Sequence, residues 1–61
     1  MKRRALIEHL SEHGCILRRE GTRHSIYQNP RTGKRTSVPR HTEIDDLTAR
    51  KICEQLGIPA P

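Results

Sequence analysis

The chain has 61 residues, a formal net charge of +5 at neutral pH and no tryptophan or phenylalanine. Its core must therefore consist of small aliphatic side chains, and a core of that mass disfavours an enclosed cavity for a metabolite. A shallow surface site for a polymer fits such a chain better. We expect one domain over residues 1–61.

The first predicted element is a helix over residues 3–13, which Gly14 can end as the residue after the C-cap. The basic run Lys2-Arg3-Arg4 at its start opposes the positive end of the helix dipole, which hints at an anionic partner. Strands are predicted over residues 15–20 and 24–28, joined by a turn at Gly21-Thr22.

Residues 29–33 form a predicted turn, and a third strand over residues 34–38 is expected to stop at Pro39. Asp45 can cap a last helix over residues 46–56, which Gly57 ends. The fold class is therefore α+β in the order αβββα, with two helices on one face of a three-stranded antiparallel sheet. The expected core residues are Leu6, Ile7, Leu10, Ile16, Leu17, Ile26, Val38, Ile44, Ala49, Ile52, Leu56 and Ile58.

Charge is divided unevenly along the chain. Residues 1–41 hold ten Lys or Arg against three Glu, whereas residues 42–61 hold two against four Asp or Glu. The basic part could contact phosphates, and the alternative is a generic soluble surface.

His24 carries most of the functional interpretation. It opens the second strand just after the Gly21-Thr22 turn, and basic residues crowd it in sequence. Imidazole titrates near neutral pH, so a histidine in this setting suits proton transfer on a bound polyanion. The alternative is a solvated polar residue. Strand alternation places His24 at the rim of the helix-packed face if Ile26 is core, and on the open face if Tyr27 is core.

No metal or other cofactor is expected. His9 and His13 are four residues apart on a helix, but no third ligand follows at tetrahedral spacing. Cys15 and Cys53 form no CxxC pair and are expected to be small buried hydrophobes. No signal peptide or membrane-spanning run is visible, which favours a cytoplasmic protein with reduced thiols and no membrane partner.

Short motifs follow one another at defined spacing through nearly the whole chain. They are Lys2-Arg3-Arg4-x-Leu6-Ile7-x-x-Leu10, Arg19-x-Gly21-x-x-His24-Ser25-Ile26-Tyr27, Asn29-Pro30, Gly33-Lys34-Arg35, Val38-Pro39-Arg40-His41, Glu43-Ile44 and Ala49-Arg50-Lys51-Ile52-x-x-Gln55-Leu56-Gly57-Ile58. This ordered set resembles the HicA toxins of type II toxin–antitoxin pairs. It departs from them at Thr22-Arg23, where members often carry a small residue or a second glycine.

The resemblance implies a fold like that of a double-stranded-RNA-binding domain, metal-independent cleavage of mRNA without the ribosome, and silencing by a HicB-like antitoxin. It maps the functional histidine to His24 and the loop hinge to Gly21. In that chemistry His24 removes a proton from the RNA 2′-hydroxyl, and cations stabilise the charge on the phosphoryl oxygens. The RNA-binding candidates are Arg23, Lys34, Arg35, Arg40 and His41. The proton donor to the leaving oxygen stays open between His24, His41 and water.

Two other classes of function stay open. One is a non-catalytic RNA-binding module, which Asp45 and Asp46 disfavour because they would repel phosphate at the start of the last helix. The other is a degenerate toxin that only binds its antitoxin.

Overall fold

A computed structural model describes all 61 residues. Its elements are α1 (Arg3–Glu12), β1 (Ile16–Glu20), β2 (His24–Gln28), β3 (Arg35–Pro39) and α2 (Asp46–Leu56). The three strands form one antiparallel sheet in the order β1-β2-β3. The predicted α+β class and the αβββα order are confirmed, whereas the likeness to a double-stranded-RNA-binding domain stays a prediction.

The helices end where the local sequence signals place their ends. Gly14 follows the C-cap of α1 with a φ of +81°, and Gly57 ends α2 with a φ of +72°, which is the left-handed conformation that glycine adopts without strain. The Asp45 side chain accepts a hydrogen bond of 3.3 Å from the Thr48 backbone N–H at the start of α2. No helix in the chain has the length and apolar character needed to cross a membrane.

The core lies between the sheet and the two helices. Its buried members are Leu6, Leu10, Cys15, Val38, Ile44, Ala49, Ile52, Cys53 and Leu56. The two cysteines are free thiols within this cluster, as expected for small buried hydrophobes. Burial raises the pKa of both thiols, and the nearby Cys15 raises that of Cys53 further.

Three residues expected in the core lie outside it. Ile16 and Leu17 on β1 are 42% and 46% exposed, and Ile26 on β2 is only half-buried. Ile26 alternates with Tyr27 along β2 and Ile16 lies opposite Gln28, so both face away from the helices. Leu17 lies opposite Tyr27 on the helix side, but α2 packs against β3, at the opposite edge of the sheet from β1. A β-bulge also shifts the register between Leu17 and Arg19.

The sequence predicted that β3 would end before Pro39, but Pro39 is the last residue of the strand. It lies opposite His24, between the hydrogen-bonded positions of the ladder, because Arg40 beyond it donates its backbone N–H to the Arg23 oxygen at 3.3 Å. The ladder with β2 therefore does not need the N–H that proline lacks. β3 is also an edge strand, where proline is tolerated.

The strand register places His24 on the open face of the sheet. Ser25 is fully buried and Tyr27 packs against the core, so these two residues of β2 face the helices. His24 and Ile26 alternate with them and point the other way. Of the two placements left open by the sequence, the one with Tyr27 on the core side is the observed one.

Candidate functional site

A surface depression lies at the end of the sheet where β2 begins and β3 ends. It has a volume of about 470 Å³ and is lined by Arg23, His24, Arg40 and His41. All four residues are exposed, and no carboxylate lines the depression. The structure thus brings together two imidazoles and two guanidinium groups from two separate parts of the sequence.

Gly21 shapes the tight loop that presents His24. Its backbone N–H donates a 2.8 Å hydrogen bond to the His24 oxygen, and a Cβ at this position would lie 2.8 Å from the same oxygen. The φ of Gly21 is not in the left-handed region, so its backbone conformation does not require glycine. Glycine is required because the His24 oxygen approaches so closely that a side chain would not fit. Neither Thr22 nor Arg23 has a positive φ either, so the loop has no need of a second glycine at these positions.

We expect Gly21→Ala to lower both stability and any activity that depends on His24. The added methyl group must push the His24 backbone away, at a cost of about 1–3 kcal/mol typical of overpacked positions. Urea unfolding and an activity assay measure the two effects. Gly14→Ala is the matched control, because its Cβ would meet nothing within 4 Å. The strain of its positive φ should reduce stability but not activity. Full activity of a folded Gly21→Ala protein would contradict this role.

A polar network lies directly beneath His24, on the helix side of the sheet. The fully buried Ser25 hydroxyl accepts a hydrogen bond of 2.9 Å from Arg3 Nη2 and donates one to Glu20 Oε1. Arg3 also donates from Nε to the Pro39 oxygen at 2.8 Å. The arginine at the start of α1 is therefore bonded to both strands that border the depression, which fixes their relative position.

Arg40 is held in place by the loop beside it. Its Nη1 donates a 3.0 Å hydrogen bond to the Gly21 oxygen and lies 3.3 Å from Glu20 Oε1. The Arg23 side chain, in contrast, makes no ion pair or hydrogen bond within the protein. The depression thus contains one pre-oriented and one unpaired guanidinium group.

The connector that carries Arg40 and His41 is pinned to the start of α1. The Arg3 backbone N–H donates to the Thr42 oxygen at 2.8 Å, and Lys2 Nζ lies 2.8 Å from Glu43 Oε2. The hydrogen bond that Lys2 donates to Glu43 lowers the pKa of the Glu43 carboxyl and raises the pKa of Lys2. The basic run at the start of α1 therefore serves partly to hold the connector.

Two of the predicted RNA-binding residues lie away from the depression. Arg35 pairs with Gln28, four residues along β2 from His24, which is about 13 Å at the rise of a strand. It shares the open face with His24 by register. Lys34 extends its ammonium group toward Gly57, at the C-terminal end of α2, where a positive charge is favourable. Only Arg23, Arg40 and His41 lie together with His24.

The rings of His9 on α1 and His13 at its C-cap have centroids 4.4 Å apart and are tilted by 50° to each other. His9 Nε2 lies 2.8 Å from the Pro59 oxygen, and His13 Nδ1 lies 2.9 Å from the His9 oxygen. One nitrogen of each ring therefore lies within hydrogen-bonding distance of a backbone carbonyl oxygen. The chain has no group of three or more His, Cys, Asp or Glu residues placed to hold a metal ion.

Sequence reasoning missed Arg3, Glu20 and Ser25 as parts of the site. Ser25 follows His24 directly, and Glu20 lies five residues before Ser25 across a tight turn, so the nearness of these residues could have been inferred. Their contact could not, because the bulge in β1 changes which residue of that strand lies opposite Ser25.

The fold and this surface define a small α+β protein with a basic, histidine-containing depression at one end of its sheet. The family model described as the HicA toxin of bacterial toxin–antitoxin systems matches residues 3–58 of the chain. The chain therefore belongs to the HicA toxin family, and its role is that of a toxin paired with an antitoxin. Comparisons with curated proteins and with solved structures give no match.

Proposed function

We propose that this toxin is a ribosome-independent endoribonuclease that cleaves mRNA, with His24 as the general base. The observation that carries the proposal is the depression at the end of the sheet, where His24 is exposed beside Arg23, Arg40 and His41 with no carboxylate lining it. An open, positively charged surface of this kind admits a polymer of phosphates.

The chemistry needs few groups because RNA supplies its own nucleophile. An unprotonated His24 nitrogen takes the proton of a 2′-hydroxyl, and the resulting oxygen attacks the adjacent phosphorus. The new P–O2′ bond forms as the P–O5′ bond breaks. The products are a 2′,3′-cyclic phosphate on one fragment and a 5′-hydroxyl on the other, so no metal ion is required for the balance of atoms or protons.

His41 is our candidate for the proton donor. It lines the same depression as His24, so two imidazoles are available to a phosphate group of RNA bound there. One can act as base on the 2′-oxygen while the other, protonated, gives a proton to the departing 5′-oxygen. Histidine suits both roles because its two forms coexist near neutral pH.

The cations stabilise the charge that develops on the phosphoryl oxygens. Arg23 and Arg40 are the residues in reach, since they line the depression with His24. Lys34 and Arg35 lie away from the depression, so we assign them contacts with more distant phosphates of the bound RNA strand. Arg35 is suited to this role because it shares the open face of the sheet with His24.

A HicB-like antitoxin would silence the toxin by covering the depression with acidic or apolar groups. The support for this is the exposed, basic character of the surface around His24. Binding only to the folded toxin would also raise its melting temperature by mass action. With mRNA as substrate, the site of action would be the cytoplasm.

The experiment that tests this proposal uses the purified chain, a labelled mRNA fragment and no ribosomes. We expect the RNA to be shortened, and we expect a co-expressed HicB-like antitoxin to prevent the shortening. Binding of the RNA without shortening would instead identify a non-catalytic RNA-binding module. Binding of the antitoxin by a chain that neither binds nor cuts RNA would identify a degenerate toxin.

A further inference from the structure

Glu20 is an acidic side chain placed next to a site for a polyanion. Its Oε1 accepts a hydrogen bond from the buried Ser25 hydroxyl and lies 3.3 Å from Arg40 Nη1. A carboxylate in this position repels phosphate, so its presence opposes the binding of RNA. It is about half exposed, as is Arg40, at 51% and 46% of their side chains. Exposed ion pairs of this kind contribute little to stability, about 0–1 kcal/mol.

The contacts of Arg40 indicate that Glu20 helps to orient its guanidinium group. Both protein acceptors, the Gly21 oxygen and Glu20 Oε1, are reached by the same nitrogen, Nη1. The Nε and Nη2 groups of Arg40 make no hydrogen bond within the protein. These are donors on a rigid planar fork that matches two oxygens of a phosphate group.

We propose that Glu20 is a positioning residue for RNA cleavage, which holds Arg40 with Nε and Nη2 free to donate to the phosphoryl oxygens. This inference rests on the proposed ribonuclease function. Arg3 extends the same arrangement, because it fixes the Ser25 hydroxyl to which Glu20 is bonded. The guanidinium group is thereby ordered before the substrate binds, so less side-chain entropy is lost when it stabilises the negative charge that develops on the phosphoryl oxygens.

The proposal and simple electrostatics predict opposite results for Glu20→Ala. Removal of a negative charge beside the site should tighten RNA binding and, on charge alone, speed cleavage. If Glu20 orients Arg40, kcat should instead fall about tenfold or more, while KM for a short RNA stays the same or decreases. Glu20→Gln keeps an oxygen acceptor for Ser25 and Arg40, so it should recover most of the lost kcat.

Three further variants, Glu8→Ala, Arg40→Ala and the Arg40→Ala/Glu20→Ala double variant, separate the effect of the position of Glu20 from that of its charge. Glu8→Ala removes one negative charge from an exposed position on α1 without touching the site, so its kcat should equal that of the wild type. In an Arg40→Ala background, Glu20→Ala should have almost no further effect on kcat, because Glu20 acts through Arg40. Circular dichroism and melting temperatures show whether each variant is folded.

The test is therefore steady-state cleavage of one labelled RNA by these five variants and the wild type. A lowered kcat for folded Glu20→Ala, its recovery in Glu20→Gln and its absence in the Arg40→Ala background would support the proposal. A Glu20→Ala protein that cleaves as fast as the wild type, or faster, would overturn it and leave the ribonuclease function standing. An equal loss of kcat in the Arg40→Ala background would also overturn it. No cleavage by the wild type would overturn both proposals.

Discussion

Replacing His24 with alanine is expected to lower the rate of RNA cleavage by about two to four orders of magnitude, the usual cost of losing one general base. Stability should change little, because the His24 side chain is exposed and makes no hydrogen bond within the protein. The bond from Gly21 to the His24 backbone oxygen survives the substitution. Circular dichroism and urea unfolding measure the fold, and a labelled RNA measures the rate.

His13→Ala is the control for this experiment. It removes an imidazole at the C-cap of α1, away from the depression that His24 lines, so the rate of cleavage should be unchanged. His41→Ala should lower the rate as well if His41 is the proton donor. A folded His24→Ala protein that cuts RNA at the wild-type rate would remove His24 from the mechanism and leave His41 as the imidazole of the site.

The second-largest expected effect is a loss of RNA affinity, caused either by added salt or by reversal of the charge at Arg23. About three phosphate contacts to a single strand give a slope near −2 in log affinity against log salt, or about a twentyfold loss between 50 and 200 mM. Arg23→Glu should reduce both the affinity and this slope. Because Arg23 has no partner within the protein, the substitution leaves the native ion pairs intact.

Lys51→Glu matches this change in charge at an exposed position on α2. It should cost much less affinity than Arg23→Glu, and Lys34→Glu and Arg35→Glu should fall between the two. Fluorescence anisotropy with a short labelled RNA measures each value. Equal losses for Arg23→Glu and Lys51→Glu would mean that net charge, and not the depression, determines binding.

The helices and their ends could be predicted because their signals are local. Asp45 and Gly57 bound α2 at the expected residues, and Gly14 follows α1 as expected. Capping and left-handed glycine act within one turn of the chain, so neighbouring residues decide them. The three strands were predicted to within one residue at each end for the same reason, since turn residues separate them.

The packing of the strands could not be predicted in the same way. Ile16 and Leu17 are apolar and were expected in the core, yet they lie on an edge strand away from α2. Which face of β2 is covered depends on where the helices dock, so the placement of His24 stayed open until the burial of Ser25 and Tyr27 was known. Pro39 was misjudged because its tolerance depends on the hydrogen-bonding phase of the ladder.

The candidate site was predicted in part. His24, Arg23, Arg40 and His41 meet because β2 and β3 are antiparallel, which places the start of one beside the end of the other. The same geometry separates His24 from Arg35 by the length of the strand. For the residues that follow β2, closeness in sequence to His24 was therefore a poor guide, and pairing between strands was the better one.

Analysis of the ends of the cleaved RNA tests the central claim most directly. The measurement uses one sequence prepared as RNA and as DNA, and it identifies the new termini by mass spectrometry. If His24 activates the 2′-hydroxyl, the RNA yields a 2′,3′-cyclic phosphate and a 5′-hydroxyl, and the DNA is not cut. A 5′-phosphate on the RNA fragments, or cleavage of the DNA, would contradict the account, because either result requires water and not the 2′-oxygen as the nucleophile.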